Sequence, residues 1–312
     1  WNALARYADV VLPATTPLER SDVGGSSVDD FIFWMDKVID PVGEARNDYD
    51  IFADLARLLG AEDRFTEGRT ADEWIEHLYD RFNAYHPAYP TLEDLQSSGF
   101  FHIPEDWNPP VPSQIVEFVN DPKGRPLSTP SGRIELYSTT IDGFGYRSCP
   151  PHPTWLEPAE WLGNAGEYPL HLISNQPKTR LHSQWDQGET SLNGKVAGRE
   201  QIGIHPIDAA ERNLSHGDLV RVFNERGATL ASVAIRDDLI ERVVQLPTGA
   251  WWDPEEPGGL DRSGNPNVLT RDAGTSQLAQ GPTAQTCLVQ VERFAGEPPA
   301  VRSHDLPELL AD

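Results

Sequence analysis

Lysine is nearly absent from this chain, with four residues in 312. Positive charge therefore rests on arginine, whose planar fork suits phosphate and carboxylate. Lys and Arg together number 25 against 49 Asp and Glu, a formal net charge of −24. Such acidity argues against a nucleic-acid backbone as main partner, because phosphates need cations to displace their counterions. It argues equally against docking on an anionic membrane surface. Long apolar runs are missing too: the longest, such as ADVVLP at 8–13, are strand-sized and fall short of the roughly 18 residues that signal a membrane span. Cysteine is scarce. Cys149 and Cys287 stand far apart with no CxxC, which removes a zinc site and a disulfide framework and leaves the redox compartment unread. The catalytic signatures G-x-S-x-G, H-E-x-x-H, the P-loop and G-x-G-x-x-G are absent, and the nine histidines lack metal spacing. A single methionine, Met35, and an opening on Trp1 that enters an apolar run without a leader suggest a chain cut within a domain.

Glycine and proline are plentiful, at 25 and 27 residues, which predicts a loop-rich chain containing strands. The length suggests about two domains. Residues 8–13 read as a short buried strand stopped by Pro13, residues 15–30 as a loop, and FIFWMDKVI at 31–39 as a second strand. Over 48–59, Ile51, Phe52, Leu55, Leu58 and Leu59 form one helical stripe, with Asn47 or Asp48 as cap and Gly60 as terminator. Thr70 and Glu73 form a capping box before a helix expected to bury Trp74, Leu78 and Phe82. Residues 84–168 read as an extended connector with a β-like IELYS, and a boundary falls near Glu167. Beyond it, residues 170–174, 218–224, 228–236, 242–248 and 286–294 have strand patterns. A short helix is expected from Pro206 to Asn213 and a hairpin turn at Glu225-Arg226-Gly227. Many strands with few helices predict a small closed barrel or sandwich. The acidic, Pro-rich end from Ala295 is expected to fray.

Three runs could carry chemistry. Ser174-Asn175-Gln176-Pro177-Lys178-Thr179-Arg180-Leu181-His182-Ser183-Gln184 follows a strand directly and gathers amides, Arg and His, the inventory a polar heterocycle needs. In residues 261–281, asparagines and glycines serve tight turns or the edge of a pterin or purine. Trp251 and Trp252 either stack on a ring or fill the barrel mouth. From residues alone, the reading stops at a polar-ligand-binding α/β plus β-barrel protein.

The same segments resemble the molybdopterin oxidoreductases of the dimethyl sulfoxide reductase family, in the biotin sulfoxide, dimethyl sulfoxide and trimethylamine N-oxide reductase branch. The motifs are ARYADVVLPATTPLER (5–20), PVGEARNDYDIFADLARLLG (41–60), TPSGRIELYS (129–138), SNQPKTRLHSQ (174–184), DAAERNLSHGDLVRVFNERG (208–227), GAWWDP (249–254) and GNPNVLTRDAGTSQLAQG (264–281). The resemblance implies an α/β partial dinucleotide-binding domain plus connector over 1–165, a C-terminal double-psi β-barrel over 166–295 and a tail over 296–312. It implies a bis(molybdopterin guanine dinucleotide)molybdenum cofactor, with Asn175, Gln176, Arg180, His182, Ser183, Gln184, Asn265, Asn267, Gln280 and Gln285 turned towards it, the histidine-bearing turn and the double-asparagine turn sharing one common hollow. Arg180 would meet a pyrophosphate or a pterin oxygen. No serine matches the branch's molybdenum-ligand motif, so no metal ligand and no catalytic residue is assigned. The implied partners are an N-terminal half of the same enzyme, a small sulfoxide or N-oxide substrate, and a possible electron-donor protein. A stand-alone, non-catalytic molybdopterin-binding or assembly module is the alternative, and a decarboxylase-like barrel enzyme a further one.

Overall fold

The computed structural model describes residues 1–26, 28–107 and 113–307. The chain divides into two compact units, residues 9–134 and residues 1–8 with 135–312. It is a mixed helix-and-strand protein whose second unit holds a closed barrel. A four-residue helix, α1 (Ala3–Arg6), starts that second unit.

In residues 9–134 the sheet is antiparallel, ordered β1 (Asp22–Gly25), β2 (Phe31–Met35) and β3 (Phe100–His102). Residues 8–13 form no strand, contrary to the sequence pattern. Val10 is 73% and Leu12 52% exposed, so the apolar run lacks the paired neighbour that would turn it into a buried strand. Part of the expected loop at 15–30 instead becomes β1, because it pairs in register with β2, Val23 opposite Trp34.

Helix α2 (Asp48–Leu58) forms where the stripe predicts it, with the Asn47 side chain accepting from Tyr49 N at 3.1 Å. Its stripe is nevertheless not buried: Leu58 is 76% exposed. After α3 (Glu62–Thr66) comes α4 (Ala71–Tyr85), whose Thr70–Glu73 capping box closes as expected. Leu78 faces out, and Tyr79 is the buried residue of α4. The supposed connector is folded rather than extended. Helix α5 (Leu92–Ser98) buries Leu95 completely, Gly99 ends it in the left-handed region at φ 78°, and β3 then pairs with β2. Helices α6 (Gln114–Asn120) and α7 (Thr139–Asp142) follow, while IELYS forms no strand.

The barrel strands are β4 (Leu170–Ile173), β5 (Gln201–Ile204), β6 (Leu219–Asn224), β7 (Gly227–Ile235), β8 (Val243–Gln245) and β9 (Cys287–Arg293). They close in the order β4-β8-β5-β7-β6-β9. Pairs β4/β8 and β5/β7 are parallel and the rest antiparallel. Helices α8 (Glu189–Leu192) and α9 (Pro206–Glu211) lie in the connections. Alternation puts Val220 and Val222 of β6, Val289 and Val291 of β9, and Leu170 and Leu172 of β4 into one core with Ile202, Ile204 and Val244. Each such side chain contributes about 1.5–3 kcal/mol by leaving water. Five strands and the two-residue turn Glu225-Arg226 match the sequence pattern. The sixth, β5, does not show in it, because Gly203 interrupts its short apolar run.

The C-terminal segment is docked, not frayed, through residue 305. Arg302 N donates to Asp253 Oδ2 at 2.7 Å, His304 Nε2 lies 2.8 Å from Asp186 Oδ2, and Ser303 is buried. Two buried carboxylates hold what composition alone marks as solvated.

Candidate functional site

At one end of the barrel, β8 runs into Thr248-Gly249-Ala250-Trp251-Trp252, which passes directly against the turn carrying His182. Gly249 sits at φ 97°, and a Cβ there would stand 1.8 Å from the His182 carbonyl oxygen, so only glycine permits the approach. His182 is itself left-handed, at φ 49°. The Trp251 indole N–H donates to Ser183 O at 2.8 Å and fixes the next peptide. The result is a hollow of about 390 Å³ whose walls include His182, Ser183, Trp251, Trp252, Asn265 and Asn267. The histidine turn and the double-asparagine turn therefore share one cavity. Asn2, which caps α1, and Leu4 of α1 also line it.

The double-asparagine turn is shaped by Asp261, which is fully buried. Its carboxylate accepts from Asp253 N at 2.8 Å, Gly264 N at 3.0 Å, Asn265 N at 2.8 Å and Thr229 Oγ1 at 2.5 Å. Asn265 Oδ1 then accepts from Asn267 N at 2.9 Å. Among the described residues, the His182 ring, the Asn265 Nδ2 group and the Asn267 side-chain amide have no protein hydrogen-bond partner. These polar groups are among those the hollow offers to a ligand.

Arg180 plays a different part from the one its loop position suggests. Its side chain is 1% exposed. Nε donates to His182 O at 3.1 Å, Nη2 to Thr248 O at 2.9 Å and Nη1 to Ser191 Oγ at 3.0 Å. Glu200 approaches its Nη2 at 2.9 Å and Asp186 its Nε at 3.4 Å. A guanidinium so committed ties two walls of the hollow together from below and has no free fork for a pyrophosphate. Lys195 completes the cluster, 2.7 Å from Asp186 and 3.5 Å from Glu200.

Burial pushes the Asp186 carboxyl up, but hydrogen bonds from His304 and Lys195, with the charges of Lys195 and Arg180, outweigh it and hold it at about 2. Its folded value lies below its ordinary value of 3.8. The carboxylate's stabilisation is therefore complete above that value and is lost as pH falls through 2, an effect of about 2 kcal/mol. Burial raises Glu200 above its ordinary 4.5, against Arg180 and Lys195; its contribution has the opposite sign and declines above that pH. Urea unfolding of the wild type should weaken steeply from pH 4 to 2. Asp186→Asn should start less stable and lose this part of the slope; identical slopes would refute the assignment.

The remaining predicted residues scatter. Asn175 lines a second hollow of about 450 Å³ with Lys178, Gln201 and Arg236, and its Oδ1 is buried without a hydrogen bond. Gln176 donates to Arg180 O at 3.1 Å and braces its own loop. Gln285 clasps the end of β4, donating to Ser174 O at 2.8 Å and accepting from Ser174 N at 3.3 Å. Gln184 lies beside Trp185 in another hollow. Gln280 donates to Ser276 O at 2.8 Å within its own exposed loop. Four predicted residues thus line the shared hollow: His182, Ser183, Asn265 and Asn267. Asp186, Lys195, Glu200 and His304 escape sequence reading. The one signal was Lys195 itself, one of four lysines in the chain. Among the described residues no group of three His, Cys, Asp or Glu could hold a metal ion, and no helix is long and apolar enough to cross a membrane.

Comparison with known proteins bears on this geometry. Residues 1–58 match the Molybdopterin oxidoreductase family and residues 170–288 the Molydopterin dinucleotide binding domain. Biotin sulfoxide reductase of Cereibacter sphaeroides is 45% identical over 311 residues, covering 98% of this chain and 41% of the relative. Dimethyl sulfoxide/trimethylamine N-oxide reductase of the same organism is 46% identical over 322 residues, covering 99% and 39%. Trimethylamine-N-oxide reductase of Haemophilus influenzae is 42% identical over 327 residues, covering 100% and 39%. The chain thus spans about two fifths of the length of these relatives. Acetylene hydratase from Pelobacter acetylenicus shares the fold at a TM-score of 0.68 and 22% identity, over 94% of this chain and 39% of that one. With a molybdopterin oxidoreductase segment at its start and a molydopterin dinucleotide binding domain after it, the chain carries two domains of the molybdopterin oxidoreductases.

Proposed function

We propose that the chain is the cofactor-binding C-terminal part of a sulfoxide or N-oxide reductase that carries a bis(molybdopterin guanine dinucleotide)molybdenum centre. Its relatives are sulfoxide and N-oxide reductases, which supports the substrate class, and the domain match supports a molybdopterin dinucleotide. On this reading residues 1–165 are the end of an α/β domain with its connector, residues 166–295 the dinucleotide-binding barrel and residues 296–312 its tail.

The observation that carries the proposal is the shared hollow. His182, Asn265 and Asn267 approach it from two distant turns with hydrogen-bonding groups that no protein atom satisfies. Amides supply donor and acceptor edges together, which fits a pterin's alternating nitrogens and carbonyl. The buried, unpartnered Asn175 Oδ1 offers an acceptor to a more distant part of the same dinucleotide. The bound centre supplies oxygen-atom transfer: with two electrons and two protons, the S- or N-oxide yields the reduced product and water. The protein's own residues do the holding. His182, Asn265 and Asn267 orient the ring system, and Trp251 and Trp252 exclude water from its face. No residue of this chain is assigned as the molybdenum ligand. The other part of the enzyme and the electron donor are partners outside the chain.

The test is cofactor content. The full chain, purified from a host that makes molybdopterin, should release a fluorescent pterin and guanine on denaturation. Asn265→Ala with Asn267→Ala should lower retention at least about tenfold, two hydrogen bonds at about 1 kcal/mol each. A pterin-free wild type, or a double variant that retains as much as wild type, would defeat the proposal.

A further inference from the structure

The segment from Pro299 to Asp305 crosses the barrel as a strap, and its contacts end on the walls of the hollow. Arg199 donates to Pro299 O, and Val301 packs 3.4 Å from where a Gly198 Cβ would stand. Arg302 N donates to Asp253 Oδ2, immediately after the Trp251-Trp252 pair. His304 Nε2 lies 2.8 Å from Asp186 Oδ2, and the same oxygen accepts from Trp251 N at 3.3 Å. The His304 ring meets the Trp251 indole edge-on, with centroids 5.4 Å apart and planes at 75°. Trp251 in turn donates to Ser183 O, which belongs to the histidine turn. At the far end Arg6 of α1 donates to Asp305 O, and α1 also lines the hollow through Ala3 and Leu4. Three walls converge on a segment that itself lines none of the hollow.

We infer that this strap positions the hollow, and that His304 is its positioning residue, holding Trp251 and the Ser183 turn through the Asp186 carboxylate. The inference rests on the reading of the hollow as the pterin site, but its structural half can be tested without any cofactor. A tail that merely covered apolar surface would need no hydrogen bond to a fully buried carboxylate. This one spends its histidine on the group that also fixes Trp251. His304 touches no ligand on this reading; it acts through two other residues.

Amide hydrogen exchange on the full chain, with no cofactor added, decides the structural half. In His304→Ala, residues 181–188 and 249–253 should exchange about tenfold faster while β6 and β9 keep wild-type rates. His304→Gln, which still presents a donor to Asp186, should restore protection. If His304→Ala fails to fold, His304→Phe replaces it: the edge contact with Trp251 stays, the donor goes, and the same two segments should loosen. Unchanged exchange in those segments, equal acceleration throughout the barrel, or failure of His304→Gln to restore protection would overturn the inference. Pterin retention measured on the same variants separates the two readings. A wild type without pterin whose strap variant still loosens locally would overturn the cofactor reading alone; a pterin-bearing wild type with no local loosening would overturn the strap's role alone.

Discussion

Gly249→Ala should leave the barrel about 3 kcal/mol less stable, with a proportionate fall in soluble yield. Two effects combine. The added Cβ would fall 1.8 Å from His182 O and 3.1 Å from Ser183 N, a backbone collision that no rotamer can relieve. The position also holds φ 97°, where an L side chain is strained; strain and overpacking each cost about 1–3 kcal/mol. The collision can relax only if the His182 turn and the Thr248–Trp252 segment move apart, and that movement opens the hollow between them. Loss of stability and loss of pterin should therefore appear together. Thermal unfolding of the variant checks the first. A melting temperature within a degree or two of wild type would show that the two segments are not in contact.

Asp261→Ala should be comparably damaging, at about 3 kcal/mol or more. The carboxylate is fully buried and receives the N–H groups of Asp253, Gly264 and Asn265 together with the Thr229 hydroxyl. Alanine leaves these donors in a dry interior, and each unsatisfied group costs about 1–3 kcal/mol unless the turn rearranges to reach water. Rearrangement is the cheaper route, so the double-asparagine turn should lose its shape before the barrel unfolds. Asp261→Asn should rescue only partly, since its amide nitrogen would face donors. Denaturant unfolding gives the stability change, and exchange rates at residues 263–269 report the turn. Wild-type stability in Asp261→Ala would refute the account.

Local signals proved readable and distant ones did not. The Thr70–Glu73 capping box and the Asn47 cap lie within three residues of their partners, and alternation marks β6 and β9 because each strand faces one core. The run at 8–13 misleads because apolar residues predict burial only where another element arrives to cover them. Arg180 misleads for a related reason. Its loop sits among amides and looks ligand-facing, but Asp186 and Glu200, respectively 6 and 20 positions later, fold beneath it and capture the guanidinium. Asn265 and Asn267 could be selected as amides in a glycine-rich turn; the buried Asp261 that shapes them looks from sequence like one acidic residue among 49. His304 lies in a stretch whose composition signals solvent, and only the folded barrel reveals the carboxylate waiting for it.

Barrel closure also bears on the order of events during synthesis. Strand β4 has two neighbours, β8 and β9, and its pairing of Leu170 with Val289 joins residues 119 positions apart. A nascent chain leaving the ribosome amino end first can make the β6–β7 hairpin early. Strand β4 must wait with both edges open until β8 (Val243–Gln245) has been translated, and with one edge open until β9 (Cys287–Arg293) follows. Pairings of such long range fold slowly and leave strand edges prone to association. That interval gives chaperones a defined target, and the late arrival of β9 ends it.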